Sequence, residues 1–184
     1  RDPDRIDGIW DDPRLAGVYS HYEDNLTDII ATLQDKGMHV LLSSVPVNLR
    51  HSAPFLSVRS PNVSKERLDQ WRAATRSGAE SAAAGNWDAA VGYFRAALDI
   101  DPEYADTHFR LATALENLGE YPEAKAHFER ALDLDGLRFR ADTRINGIIQ
   151  DIAASAEDEA LSFIDNAVAF EQARRVGRGS TAVR

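Results

Sequence analysis

The sequence predicts a mainly α-helical protein in which two helix–turn–helix units and a capping helix are flanked by part of an α/β layer. Three observations predict this fold class. The stretches GNWDAAVGYFRAALDID (Gly85–Asp101) and GEYPEAKAHFERALDLD (Gly119–Asp135) resemble each other at a spacing of 34 residues. Apolar residues recur at helical spacing from about residue 68 to residue 155. A short apolar run, Val40–Leu42, stands apart from this helical region.

The composition is that of an acidic globular protein with a buried core. Hydrophobic residues make up 43% of the 184 residues, and the formal net charge is −9. This acidic balance disfavours non-specific binding to nucleic acid or to anionic membranes. The chain has no cysteine and no apolar run near the roughly 20 residues of a membrane span. We therefore expect a soluble cytoplasmic or periplasmic protein with no membrane insertion and no nucleic-acid partner.

Residues 1–63 are predicted to form a partial α/β segment and a linker. Residues 1–18 are rich in Asp, Pro and Arg, which predicts irregular structure. A helix is predicted from about residue 20 to residue 35, because apolar side chains there share one face: Tyr22, Leu26, Ile29, Ile30 and Leu33. The uninterrupted run Val40–Leu42 predicts a strand buried on both faces, as in a parallel sheet. Asn48–Ser64 has no periodicity and is interpreted as a linker.

The rest of the chain is predicted to be a helical array followed by a short return segment and a tail. The predicted array spans residues 64–155, with repeats at 71–104 and 105–138 and a capping helix at 138–155. Within residues 156–184, ALSFID (Ala160–Asp165) fits either a short buried strand or a helix. The basic tail from Ala173 is predicted to be disordered.

The doubled unit resembles the tetratricopeptide repeat, a helical hairpin of 34 residues. Matching small and aromatic residues recur at equivalent positions: Gly78 and Ala112, Ala90 and Ala124, Phe94 and Phe128, Ala97 and Ala131. Small residues let the two helices approach closely, and the aromatic ring fills the space between them. Gly85 and Gly119 are predicted to form the turns. Gly136 departs from the pattern, because the family has a proline there.

Arginines recur in the same register, at Arg76, Arg110 and Arg144. The resemblance implies that the first helix of each repeat lines a concave groove, which would present guanidinium groups to the carboxylates of a partner protein or acidic peptide. The predicted groove residues are Arg72, Arg76, Phe109, Arg110, Thr113, Asn117, Arg140 and Arg144. Alternatively, these arginines pair only within their own helices, Arg76 with Glu80 and Arg110 with Asp106.

Three segments outside the repeats resemble the bacterial SGNH/GDSL-type hydrolases that carry inserted tetratricopeptide repeats. They are Asn25–Phe55, Leu137–Asn146 and Ala160–Asp165. The resemblance implies a Rossmann-type α/β core, a catalytic Ser in a Gly-Asp-Ser block and a late Asp-x-x-His pair, but neither block occurs in this chain. We therefore assign no catalytic residue, cofactor or metal, and we expect an interaction module without catalysis of its own. The alternative is the central portion of such an ester hydrolase, in which exposed sheet edges could also drive self-association.

Overall fold

The computed structural model of the chain describes residues 13–61, 63–156 and 160–170, which belong to two compact units. The first, called the array, comprises Asn48–Arg140; the second, called the strand unit, comprises Pro13–Val47 and the residues from Ala141 onward. The elements in chain order are α1 (Pro13–Gln34), β1 (Val40–Ser43), α2 (Lys65–Ala83), α3 (Trp87–Leu98), α4 (Ala105–Leu118), α5 (Tyr121–Asp133), α6 (Thr143–Ser155) and β2 (Leu161–Ile164). The predicted irregular residues before Pro13 and the predicted basic tail lie outside the described residues.

The array consists of two helical hairpins, α2 with α3 and α4 with α5. The first hairpin begins at Ser64, whose hydroxyl caps α2 by accepting the backbone N–H of Arg67 at 3.3 Å. Gly85 and Gly119 form the predicted turns with positive φ values of 74° and 86°. Only glycine adopts this left-handed conformation without a steric penalty, which explains why both copies of the doubled stretch begin with it.

Small residues bring the two helices of each hairpin together, as the sequence predicts. Ala90, Ala97 and Ala112 are fully buried, and Phe94 is 1% exposed between them. A Cβ atom built on Gly78 would lie 2.6 Å from the Phe94 ring, so α2 reaches α3 only because this position has no side chain. The same core continues into the second hairpin through Phe128.

The strand unit contains a two-stranded parallel sheet with helices on one face. Val40 lies opposite Leu161 across the sheet. Ile30 of α1, Leu42 of β1 and Ile149 of α6 form its buried cluster. The segment that fits either a strand or a helix by sequence is therefore a strand over Leu161–Ile164, and residues 166–170 after it are helical.

Two sequence expectations for the strand unit are wrong. The helix expected from about residue 20 already begins at Pro13, in keeping with the tolerance for proline in a first turn, where no hydrogen-bond donor is lost. The strand expected to be buried on both faces is covered on one face only, because Leu41 is 62% exposed while Leu42 is buried. The alternation of side chains along a strand puts these two neighbours on opposite faces.

The predicted capping helix at 138–155 is also wrong. Residues 136–142 are not helical, and α6 begins at Thr143, where the Asp142 carboxylate caps it by accepting the Ile145 N–H at 3.0 Å. The apolar face of α6 packs in the strand unit through Ile149. The array therefore ends at Arg140.

Candidate functional site

The eight predicted groove residues do not share one surface. Seven lie in the array, whereas Arg144 lies on α6 in the strand unit. The Arg144 guanidinium stands 4.4 Å above the ring centroid of Tyr19, a cation–π contact. The 34-residue register with Arg110 is real in sequence, but it does not carry Arg144 into the array.

Arg72 and Arg76 of α2 and Arg110 of α4 are exposed on the first helices of the two repeats. Arg72 lies 3.2 Å from Asp69, and the Arg110 Nε lies 2.5 Å from the Asp106 carboxylate. The alternative of pairing within one helix is thus confirmed for Arg110. Among the described residues Arg76 has no ion pair, with Glu80 or any other carboxylate.

The remaining α4 residues of the predicted groove lie along one side of that helix. Phe109 is half-buried and packs edge-to-face on Phe128, with ring centroids 5.4 Å apart. The Thr113 hydroxyl donates to the Phe109 carbonyl at 2.9 Å, so it is already used within the helix. Asn117 is exposed and donates to the Thr113 carbonyl at 2.8 Å. This face therefore offers an apolar ring and an amide beside the arginines.

Arg140 is engaged inside the array and does not line a groove. Its guanidinium donates to the Ser52 carbonyl at 2.7 Å and lies 2.9 Å from the Asp135 carboxylate. It also stands 5.2 Å above the Phe55 ring, and its side chain is 14% exposed. The contacts of Arg140 point to a feature that the sequence reading misses, a folded linker.

Residues 49–60, here called the strap, lie against the array. Leu49 packs on its apolar core, and Arg50 forms an ion pair with Glu116 of α4. Asp101 and Asp135, each 2% exposed, bind the strap further along the chain. These aspartates end the two copies of the doubled stretch, and this recurrence of a buried carboxylate is the signal that could have revealed the strap.

Two histidines join the helices of the second hairpin. The Nδ1 atoms of His108 and His127 lie 2.9 Å apart, and the His108 Nε2 lies 2.9 Å from the Pro102 carbonyl. Because a carbonyl only accepts, His108 carries its proton on Nε2 and accepts from His127 through Nδ1. Burial is the main cause that lowers the pKa of both rings, which keeps them neutral.

The carboxyl ends of β1 and β2 hold a polar cluster that functions as a helix cap. The Ser44 hydroxyl donates to Asp165 at 2.8 Å and accepts the Ala167 N–H at 3.0 Å. Asp165 also accepts the Val168 N–H at 3.0 Å, and this backbone hydrogen bond is the main cause that lowers the pKa of its carboxyl group. Ser44 is therefore committed to starting the helix at 166–170, with a carboxylate too acidic to serve as a strong base.

The comparisons with known proteins agree with the doubled hairpin. The family model described as the tetratricopeptide repeat matches residues 81–141. The chain is a tetratricopeptide repeat protein. This repeat protein is 37% identical over 60 residues to an uncharacterized protein of Methanocaldococcus jannaschii, in a region that covers 33% of this chain and 70% of that protein. No solved structure matches the chain.

The match of the repeat family lies in residues 81–141 and does not reach the flanking segments. The resemblance of those segments to SGNH/GDSL-type hydrolases therefore stays a prediction. In the part of this tetratricopeptide repeat protein that the structure describes, no helix is long and apolar enough to cross a membrane. The same residues include no group of three or more His, Cys, Asp or Glu side chains placed to hold a metal ion.

Proposed function

We propose that this tetratricopeptide repeat protein is a protein–protein interaction module that binds an acidic segment of its partner on α2 and α4. The observation that carries the proposal is the exposure of Arg76 and Arg110 at equivalent positions of the two first helices. Arg72 lies one turn before Arg76 and adds a third guanidinium. Guanidinium groups bind carboxylates through paired, charge-assisted hydrogen bonds, so an acidic peptide is the ligand that suits this set.

The carboxylates already beside these arginines are weak competitors for a ligand. Asp69 and Asp106 lie within one turn on the same helices and are 61% and 32% exposed. Exposed ion pairs of this kind contribute about 0.2–1 kcal/mol. A partner carboxylate that reaches Arg76, which has no such pair, gains without displacing anything. Phe109 and Asn117 then provide an apolar contact and an amide for the neighbouring peptide residues.

The test is the replacement of Arg72, Arg76 and Arg110 together by alanine. The probe is a fluorescein-labelled peptide that ends in Glu-Glu, titrated against the full chain at low ionic strength by fluorescence anisotropy. Each lost charged hydrogen bond costs about 1.5–3 kcal/mol, so the triple variant should bind at least about tenfold more weakly. Equal affinity for a triple variant with an unchanged circular dichroism spectrum would rule out the arginine face.

Arg95→Ala provides the matched control. Arg95 is an exposed arginine of α3, a second helix, and it pairs with Glu123 at 2.7 Å. Its removal deletes one exposed charge from the same repeat but from the other side of the hairpin. We expect affinity for the acidic peptide to change less than twofold, which would separate a specific contact from a general charge effect.

A further inference from the structure

The turns that end the two repeats hold the strap through equivalent carboxylates. The Asp135 carboxylate accepts the consecutive N–H groups of Phe55 and Leu56 at 2.9 and 3.0 Å. One repeat earlier, Asp101 accepts the Ser60 hydroxyl at 2.6 Å and its N–H at 3.3 Å. Hydrogen bonds to an ionised acceptor are roughly twice as strong as neutral ones. The repeat therefore produces a row of buried acceptors along one edge of the array.

The strap meets this edge with alternate side chains. Val58 is 6% exposed and Leu56 is half-buried, whereas Phe55 is 54% exposed and Arg59 also faces solvent. This alternation is that of an extended chain with one face against a surface. The edge thus recognises main-chain N–H groups at two points and apolar side chains between them.

Gly136 forms a notch for these apolar side chains. A Cβ atom there would lie 3.0 Å from Leu56 Cδ2 and 3.2 Å from Val58 Cγ2. The Gly136 N–H also donates to the Leu56 carbonyl at 2.8 Å, a bond that a proline could not make. The departure from the family pattern at Gly136 is therefore explained by the strap, and the position is shaped to receive an extended peptide.

We propose that this edge is a second binding site of the protein, specific for an extended peptide segment, and that the strap occupies it as an internal competitor. A ligand in trans needs two consecutive N–H groups for Asp135, apolar residues at alternate positions for the notch at Gly136, and a hydroxyl group for Asp101. The strap sequence from Leu56 to Ser60 supplies this pattern in cis. An outside segment of the same chemistry binds when the strap leaves. The site is separate from the arginines of α2 and α4, so it does not depend on their role.

The strap can leave without unfolding the helices, because it is held by few side chains. In residues 52–60 the apolar side chains that face the array are Leu56 and Val58 beside Pro54, while the helix core beneath is continuous from Ala90 to Phe128. Segments with few buried apolar contacts open locally at lower free energy than the core. Hydrogen exchange of individual amides measures this opening directly.

The first test is amide hydrogen exchange of the unmodified full chain. The amides of Phe55, Leu56 and Ser60 are bound to the two aspartates, and the amide of Leu115 lies in the core of α4. We expect the three strap amides to exchange at least about tenfold faster than Leu115, at a common rate of opening. Exchange of all four amides at the rate of global unfolding would overturn the proposal, because the site would never become free.

The second test measures binding of the strap peptide in trans. The probe is a labelled peptide of sequence SAPFLSVRS (residues 52–60), titrated against the full chain and against a Leu56→Ala, Val58→Ala variant with a loosened strap. We expect at least tenfold tighter binding to the loosened variant than to the unmodified chain. Adding Asp135→Asn should abolish that gain, and a peptide with proline in place of Leu56 should not bind.

Two outcomes decide the matter. A loosened variant with unchanged helical circular dichroism that binds the peptide no better than the unmodified chain would overturn the proposal. If the loosened variant does not fold, the exchange rates of the unmodified chain decide alone. The triple arginine variant described above should bind the strap peptide like its parent, so failure of the acidic-peptide proposal and failure of this one are distinguishable.

Discussion

Replacing Gly78 by alanine tests whether the absence of a side chain on α2 is required for the first repeat. The new Cβ would lie 2.6 Å from Phe94 Cε1 and 2.8 Å from Cδ1, closer than carbon atoms approach without repulsion. Phe94 is 1% exposed, so its ring cannot swing into solvent to relieve the contact. The helices must move apart, or the ring must leave its preferred rotamer.

Two opposing terms set the size of the effect. Alanine in a helix interior is favoured over glycine by about 1 kcal/mol. Overpacking a buried core by one methyl group costs about 1–3 kcal/mol, and contacts below 3.0 Å to two atoms of a ring that cannot move place Gly78 in the upper part of this range. We expect a net loss of about 1–2 kcal/mol in the free energy of unfolding, which is several degrees in Tm for an array of this size.

The assay is urea unfolding followed by tryptophan fluorescence in a Trp10→Phe background, so that the signal comes from Trp71 and Trp87 of the array. Phe94→Leu in the Gly78→Ala chain should recover about 1 kcal/mol relative to additivity, because the smaller side chain gives the methyl group room. A Gly78→Ala chain more stable than its parent would refute the reasoning, since helix propensity alone would then govern the position.

Three further predictions concern stability. Asp135→Asn should cost about 3 kcal/mol in urea unfolding, because it leaves a strap N–H and a partner arginine without the carboxylate, whereas Asn at the exposed Asp99 should change little. Gly136→Ala should cost about 1–2 kcal/mol and speed amide exchange in the strap, as its Cβ would crowd strap side chains at 3.0–3.2 Å. Burial lowers the pKa of His108 and His127 below 6.5, so the unfolded chain takes up protons first, and the free energy of unfolding should fall from about pH 7 to pH 5. His127→Gln should flatten that pH dependence.

The helices of the array could be predicted from sequence because local signals and long-range packing agree there. Gly85 and Gly119 mark turns by their backbone needs alone, and the small residues at Ala90 and Ala124 mark close helix contacts. Each signal is repeated after 34 residues, which separates it from chance. The position of Arg76 and Arg110 on exposed faces follows from the same register.

The strap and the fate of α6 could not be predicted, because neither is set by local periodicity. The strap has no helical or strand repeat, and its order comes from carboxylates that lie far along the chain at Asp101 and Asp135. The register of Arg144 continues that of the repeats, but the side chains that cover Ile149 belong to another part of the fold. A helix pattern shows which face is apolar and does not show which surface covers it.

The hydrogen bond from Arg140 to the Ser52 carbonyl joins the two places where the chain enters and leaves the array. A folded unit whose first and last residues are held side by side can be set into a surface loop of another protein without prising that loop apart. The array is therefore suited to transplantation: residues 48–140 placed in a host loop should carry their hairpins and strap with them as a portable recognition cassette.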